Sequence, residues 1–232
     1  MRSLFPLILM LLLLASCSSD ASKNNLQLSG NIKGLKKGKI YLQRLSDTAL
    51  VDLDSVEMYG SGEFSFDYQL DEPTILYLYL DKKDGNPLND RIAVFAEAGQ
   101  INLDTDWDGF SQEAKISGST QHKLYEQYLG MLSEFNKKEL DLVQQEIKAQ
   151  TKNDTITLDS LLDSRTSLVR KKYRYVLTFA LANANSYVAP YAVLKDAPES
   201  NPILIDSILN QMPDSIRQSK YAKELEKLNR GE

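Results

Sequence analysis

Three features of this sequence consist of residue types that do chemistry: a single cysteine, a single histidine and three aspartates at alternate positions. Cys17 follows Leu14-Ala15-Ser16 at the end of an apolar leader. That arrangement looks like a lipobox. There the thiol takes a diacylglyceryl group, and cleavage between Ser16 and Cys17 frees an amine for a further acyl chain. Asp104-Thr105-Asp106-Trp107-Asp108-Gly109 matches the D-x-D-x-D-G opening of an EF-hand calcium loop, which supplies oxygens at fixed spacing and a glycine for the sharp turn. The match stops at Lys115, where a bidentate glutamate belongs, and Glu113 is out of register. A carboxylate-rich turn after a strand is the plainer reading, with Asp104, Asp106 and Asp108 as the only metal candidates.

His122 would have to be the base of any Ser-His-Asp triad. No G-x-S-x-G elbow accompanies it, so a surface or cap-region histidine is expected. One histidine excludes a multi-histidine metal site, and one cysteine excludes CxxC redox chemistry, a cysteine zinc cluster and an internal disulfide. The 32 acidic residues make glycosidase-like carboxylate pairs available, but context marks none of them. Twelve tyrosines could stack on sugar rings, and Tyr77 and Tyr79 share one face of a strand. Core or interdomain packing is the expected role for these two. No glycine-rich phosphate loop is present, and no catalytic residue and no cofactor are expected.

The elements that must position these residues follow from the pattern. Arg2 and the apolar run Leu4–Leu14 read as a signal peptide over residues 1–16, since that run is far short of the ~20 residues a membrane span needs. Residues 17–25, the expected lipidated cysteine and a Ser/Asp/Asn-rich stretch, read as a flexible tether. Two or more acyl chains at ~0.8 kcal/mol per buried CH₂ make a stable anchor. Residues 26–118 alternate with a period of two. Leu26–Leu28, Ile40–Leu42, Val51–Met58, Phe64–Tyr68, Thr74–Leu80, Ile92–Ala96, Ile101–Thr105 and Ala114–Ile116 read as about eight strands. Gly60-Ser61-Gly62 reads as a hairpin turn, Lys36, Lys37 and Lys39 as a solvated hairpin tip, and Asp84–Pro87 as a loop. Thr74–Leu80 is apolar on both faces, which predicts a central strand covered on both sides.

From residue 119 the period becomes helical. Ser119 is the expected N-cap, and Leu124, Tyr128, Leu132, Phe135, Leu142 and Ile147 form one stripe. Thr151–Asp154 reads as a turn before a second stripe of Leu158, Leu161, Leu162, Leu168, Val169, Val176 and Phe179. The two segments predict a long antiparallel hairpin, followed by shorter helices near 187–195, 202–211 and 220–229. The fold class is therefore α+β: an N-terminal antiparallel β-sandwich (26–118), then a C-terminal helical segment (119–232). Composition is globular, at 42% hydrophobic and 25% charged. The formal charge is −5, and loss of Arg2 with the leader makes it one unit more negative. Such a balance argues against nucleic acid as a partner.

Leu28-Ser29-Gly30-Asn31-Ile32-Lys33-Gly34 through Leu42 resembles the opening of an N-terminal domain of unknown function. That domain occurs in envelope lipoproteins of Gram-negative bacteria, commonly before a thioredoxin-like, peroxiredoxin-related domain. The resemblance continues in Asp54-Ser55, Gly62–Phe66, Glu72-Pro73, Ala98–Ile101, Ile116–Ser119, Asn185–Ala189 and Ser219–Lys223, covering about residues 26–229. It implies an envelope lipoprotein with an envelope protein as partner. Ser18 and Ser19, which are no inner-membrane retention signal of the Asp type, favour the outer membrane. Asp20 as the one acidic residue in the stretch after Cys17 points to the periplasmic face, with exposure at the cell surface as the alternative. The redox domain that commonly follows is not expected here, because no second cysteine exists to form its dithiol. A non-catalytic binding module is the leading expectation. An accessory subunit docking a thioredoxin-like enzyme in trans and a carboxylate-based hydrolase are the alternatives. The oligomeric state is left open.

Overall fold

A computed structural model of the chain describes residues 25–46, 49–82 and 91–231. The leader, Cys17, the tether up to residue 24 and the Asp84–Pro87 loop lie outside the described residues.

Eight strands are present: β1 (Asn25–Lys33), β2 (Lys37–Ser46), β3 (Ala49–Tyr59), β4 (Glu63–Gln69), β5 (Thr74–Asp81), β6 (Arg91–Ala96), β7 (Gly99–Asp106) and β8 (Lys115–Ser117). They form two four-stranded sheets in the orders β4-β1-β7-β8 and β3-β2-β5-β6. The alternation seen in the sequence explains the sandwich. Leu26, Leu28 and Ile32 of β1 face Leu76, Leu78 and Leu80 of β5 in one core, with Phe64, Phe66, Ile101 and Leu103 completing it. All pairs are antiparallel except β1 with β7, which is parallel.

Two turns differ from their expected roles. Gly34–Lys36 and Gly60–Gly62 each join strands of different sheets, so neither closes a hairpin. Ile32 N–H donates to Gly62 O at 2.8 Å and Gly60 N–H to Lys36 O at 2.9 Å, which ties the two corners together. Leu35, between the expected hairpin-tip lysines and Gly34, is buried at 4% exposure and plugs this end of the sandwich.

The helices are α1 (Thr120–Thr151), α2 (Thr155–Ala182), α3 (Val188–Asp196), α4 (Pro202–Gln211), α5 (Asp214–Arg217) and α6 (Lys220–Arg230). The short α5 had no signature of its own in the sequence. Ser119 caps α1 by accepting from His122 N–H, and Asp154 caps α2 by accepting from Thr157 N–H, as their side-chain oxygens allow. Asn153 takes a positive φ of 54° in the turn between them. β5 is central and covered on both sides. Its leucines face the sandwich, while Ile75 and Tyr77 on the other face join a second core with Phe95, Tyr125, Val176, Tyr191 and Ala222. Among the described residues no helix is long and apolar enough to cross a membrane.

Candidate functional site

β6 is the open edge of its sheet, and α1 closes it. Phe95 N–H donates to His122 Nδ1 at 3.1 Å, and Ser119 Oγ lies 3.1 Å from Phe95 O. Glu97, just past β6, accepts from the first N–H groups of the helix at Thr120 and Gln121. A carboxylate there complements the positive end of the helix dipole. His122 is therefore a cap-region residue but not a surface one: it is 4% exposed. Burial lowers its pKa, and Glu126, 3.4 Å from Nε2, opposes that shift. Its Nδ1 is occupied as an acceptor, and its role is to position α1 against the sheet.

With the edge closed, the helices leave a cleft of about 540 Å³ where they meet the sandwich. The walls come from the ends of β2 and β4, the link into β5, β5 itself, and α3 and α6. The floor is aromatic. Tyr191 sits edge-on to Phe95, Tyr125 and Tyr221, with ring centroids 5.8, 5.8 and 5.0 Å away. Tyr221 Oη accepts from Ile75 N–H at 3.1 Å and is 2.9 Å from Thr74 Oγ1. Lys195 Nζ donates to Tyr191 Oη at 3.1 Å. Burial pushes the Tyr125, Tyr191 and Tyr221 hydroxyls upward from the ordinary phenol range. These phenols stay protonated at neutral pH and act as hydrogen-bonding groups rather than as bases.

Asp71, Glu72 and Glu224 also line the cleft. Glu72 Oε1 accepts from Lys220 N–H at 2.7 Å, and Glu224 lies 3.8 Å from Lys220 Nζ. Both carboxylates are engaged in docking and pairing α6. Arg44 stands exposed on the opposite wall. The arrangement offers ring faces, charges of both signs and a protected floor, which suits recognition of an amphipathic ligand.

The other sequence candidates lie elsewhere. Asp104 Oδ1 accepts from Asn31 N–H at 3.1 Å and its Oδ2 from Asn102 Nδ2 at 2.8 Å. Asp106 accepts from Asp108 N–H at 3.1 Å and lies 3.8 Å from Lys33. The Asp104 and Asp106 carboxylates serve the end of β7 and its turn, which Asp108 enters through its main-chain N–H. Among the described residues no group of three or more His, Cys, Asp or Glu is placed to hold a metal. Tyr77 packs against the helical core, while Tyr79 stacks on Tyr41 at 5.8 Å and carries Arg91 over its face. Sequence reasoning did not single out Tyr191, Tyr221 or Lys195. The available signal was the pair of segments Glu72-Pro73 and Ser219–Lys223, which share in the family resemblance and meet at this cleft.

No curated protein matches the chain, and no solved structure does. A family described as a domain of unknown function (DUF4369) matches residues 26–125, from β1 into the second turn of α1. The match takes in the sandwich and the Phe95–His122 junction and ends well before α3 and α6, which supply the helical wall of the cleft. Residues 26–125 of this chain are therefore similar to that family of domains of unknown function.

Proposed function

We propose that the protein is a non-catalytic binding module, held at the cell envelope by lipid on Cys17 and working through the cleft between its sandwich and its helices. Support for the anchor is the leader itself, with Arg2, the Leu4–Leu14 run and Leu14-Ala15-Ser16 before the only cysteine. The polar stretch up to the start of β1 gives the module reach from the membrane. Ser18 and Ser19 after the cysteine favour the outer membrane over retention at the inner one, and the periplasmic leaflet is the proposed side.

The observation that carries the binding role is the 540 Å³ cleft with its tyrosine floor. Its phenols are held protonated and two of its three carboxylates are committed to Lys220, so its polar groups are arranged to hold a partner. A photo-crosslinking side chain placed at Leu194 on the cleft rim, in intact cells, tests this reading. A second placement at Ile156, 84% exposed at the far end of the helical hairpin, is the control. A specific adduct from Leu194, absent from Ile156 and lost when Cys17→Ser releases the protein from the membrane, is the expected result. Equal labelling from both positions, or none from either, removes the reading. A thioredoxin-like adduct would make the protein that enzyme's accessory subunit. The carboxylate-hydrolase reading places its chemistry on the same wall, and turnover of nitrophenyl glycosides lost in Glu224→Gln would establish it instead.

A further inference from the structure

Strand β2 outlasts its pairing with β5. The β2–β5 register ends at Arg44↔Leu76, whereas β2 stays paired with β3 through Leu45↔Leu50 and Ser46↔Ala49. The next rung would engage Ile75, but Ile75 N–H turns to Tyr221 Oη instead. Phe95, opposite Ile75 on β6, directs its own N–H and C=O outward to His122 and Ser119. Main-chain groups alternate sides along a strand, so Ile75 faces β2 and finds a side-chain hydroxyl there. Leu45 and Ser46 thus keep one strand neighbour, and one of the two turns its main-chain groups toward the cleft, which Leu45 lines. A short open strand edge sits inside an aromatic cleft.

The charges add direction. Lys220 is matched by Glu224 and its own N–H by Glu72, whereas Lys195 is held by the Tyr191 hydroxyl and ring face rather than by a carboxylate. Arg44, on the strand that carries the open edge, has no ion pair among the described residues. From this we infer that the cleft receives a short extended peptide bearing a carboxylate. The peptide adds main-chain hydrogen bonds beside Leu45–Ser46, its acidic group sits near Arg44 and Lys195, and an apolar side chain rests on Tyr191 and Tyr221. Strand addition supplies affinity through the main chain, and the flanking pockets select the side chains.

This inference rests on the proposed binding role of the cleft and narrows it to one ligand class. The test uses the full folded chain and ligand-detected NMR with three probes: a pool of acidic tetrapeptides, N-acetylated and C-amidated, the same pool with Asp and Glu replaced by Lys, and a non-peptide set of cellohexaose and laurate. The expected result is binding of the acidic pool alone. Arg44→Ala should weaken it about tenfold, the loss of one charge-assisted contact. Arg44→Glu should exchange the preference for the basic pool. Arg44 is exposed, so an unchanged thermal melt separates these effects from misfolding. Binding of cellohexaose or laurate without peptide overturns the ligand class and leaves the module reading standing. Silence from all three overturns both. Acidic-peptide binding indifferent to Arg44 overturns the placement.

Discussion

His122 needs to be neutral to hold its place. Its Nδ1 accepts the Phe95 N–H, and a proton on that nitrogen would face a donor it cannot bond. Burial lowers the pKa, Glu126 pulls the other way from Nε2, and the Tyr125 ring packs alongside. In the unfolded chain the group titrates near 6.5. Above that pH both states are neutral and the contribution to stability is complete. As pH falls below about 6.5 the unfolded state takes up the proton first, and stability declines until the lowered folded value is passed. Urea unfolding at pH 7.5, 6.5 and 5.5 should show this decline in the native protein. His122→Asn keeps an oxygen acceptor at similar reach without titrating there, and it should lose that component of the slope. An identical slope in both proteins would remove His122 as its source. A second residue prediction concerns Tyr128, which donates to Asp196 Oδ2 at 2.7 Å while Lys172 lies 3.8 Å from the other oxygen, joining α1, α2 and α3. Burial and then the Asp196 carboxylate push this phenol's pKa up, so it remains a donor. Tyr128→Phe should cost about 1.5–3 kcal/mol in denaturant unfolding, the net worth of a hydrogen bond to a charged group.

β1 and β7 approach closely at Gly30. A Cβ added at Gly30 would stand 1.7 Å from Leu103 O, and main chain cannot yield as a side chain can. Gly30→Ala should therefore destabilise by at least the upper part of the ~1–3 kcal/mol typical of overpacking. A drop in thermal midpoint no larger than that of an exposed strand Gly→Ala would contradict the approach. The elements themselves were legible because period and caps are local: Phe64, Phe66 and Tyr68 alternate, Ser119 caps, and Pro202 opens α4. Pairing was less so. A period of two is the same in parallel and antiparallel partners, so nothing in Leu26–Ile32 announces β7 as a parallel neighbour. The apolar Leu35 among lysines was the one local sign that the β1–β2 link is a buried corner. The cleft was hidden for the same reason. Its tyrosines come from separate elements, each reading singly as helix core, and the burial of His122 depends on a main-chain group 27 residues away.

At the scale of the whole molecule the helical hairpin reaches farther than the core requires. α1 has 32 residues, a length of about 48 Å at 1.5 Å per residue. The helical core takes Tyr125, Tyr128 and Leu132 from α1 and Val176 and Ala180 from α2, with Tyr173 and Tyr175 packed against it. Phe135 meets the Tyr175 ring at 5.8 Å, and the helical core takes no residue of α1 beyond it. Ala149 and Leu161 are buried there, whereas Leu140, Ile147, Leu162 and Val169 of the outer stretch are 44–63% exposed. The apolar stripes read in the sequence thus continue past the core, and their outer part lies on the surface. Arg165 spans to Glu146 at 3.6 Å, where the glutamate is half-buried, and to Glu139 at 4.0 Å, an exposed pair of small worth. The inner half should therefore be the more stable one, since opening free energy follows local burial. Hydrogen exchange should be faster for main-chain amides of 140–165 than for those of 124–132 and 176–181. Replacing residues 139–170 with a short glycine-containing turn between Lys138 and Lys171 removes the outer part alone. Lys138 and Lys171 line one surface groove with Leu142 and Leu168, so the splice has a short distance to bridge. The shortened protein should keep a cooperative melt within a few degrees of the parent and an unaltered cleft, because no residue of the helical core or of the cleft lies in the deleted span. Loss of cooperative unfolding would show that the hairpin's outer half is needed to fold the rest. An intact fold with failed crosslinking from Leu194 would instead place part of the partner's footprint on the hairpin.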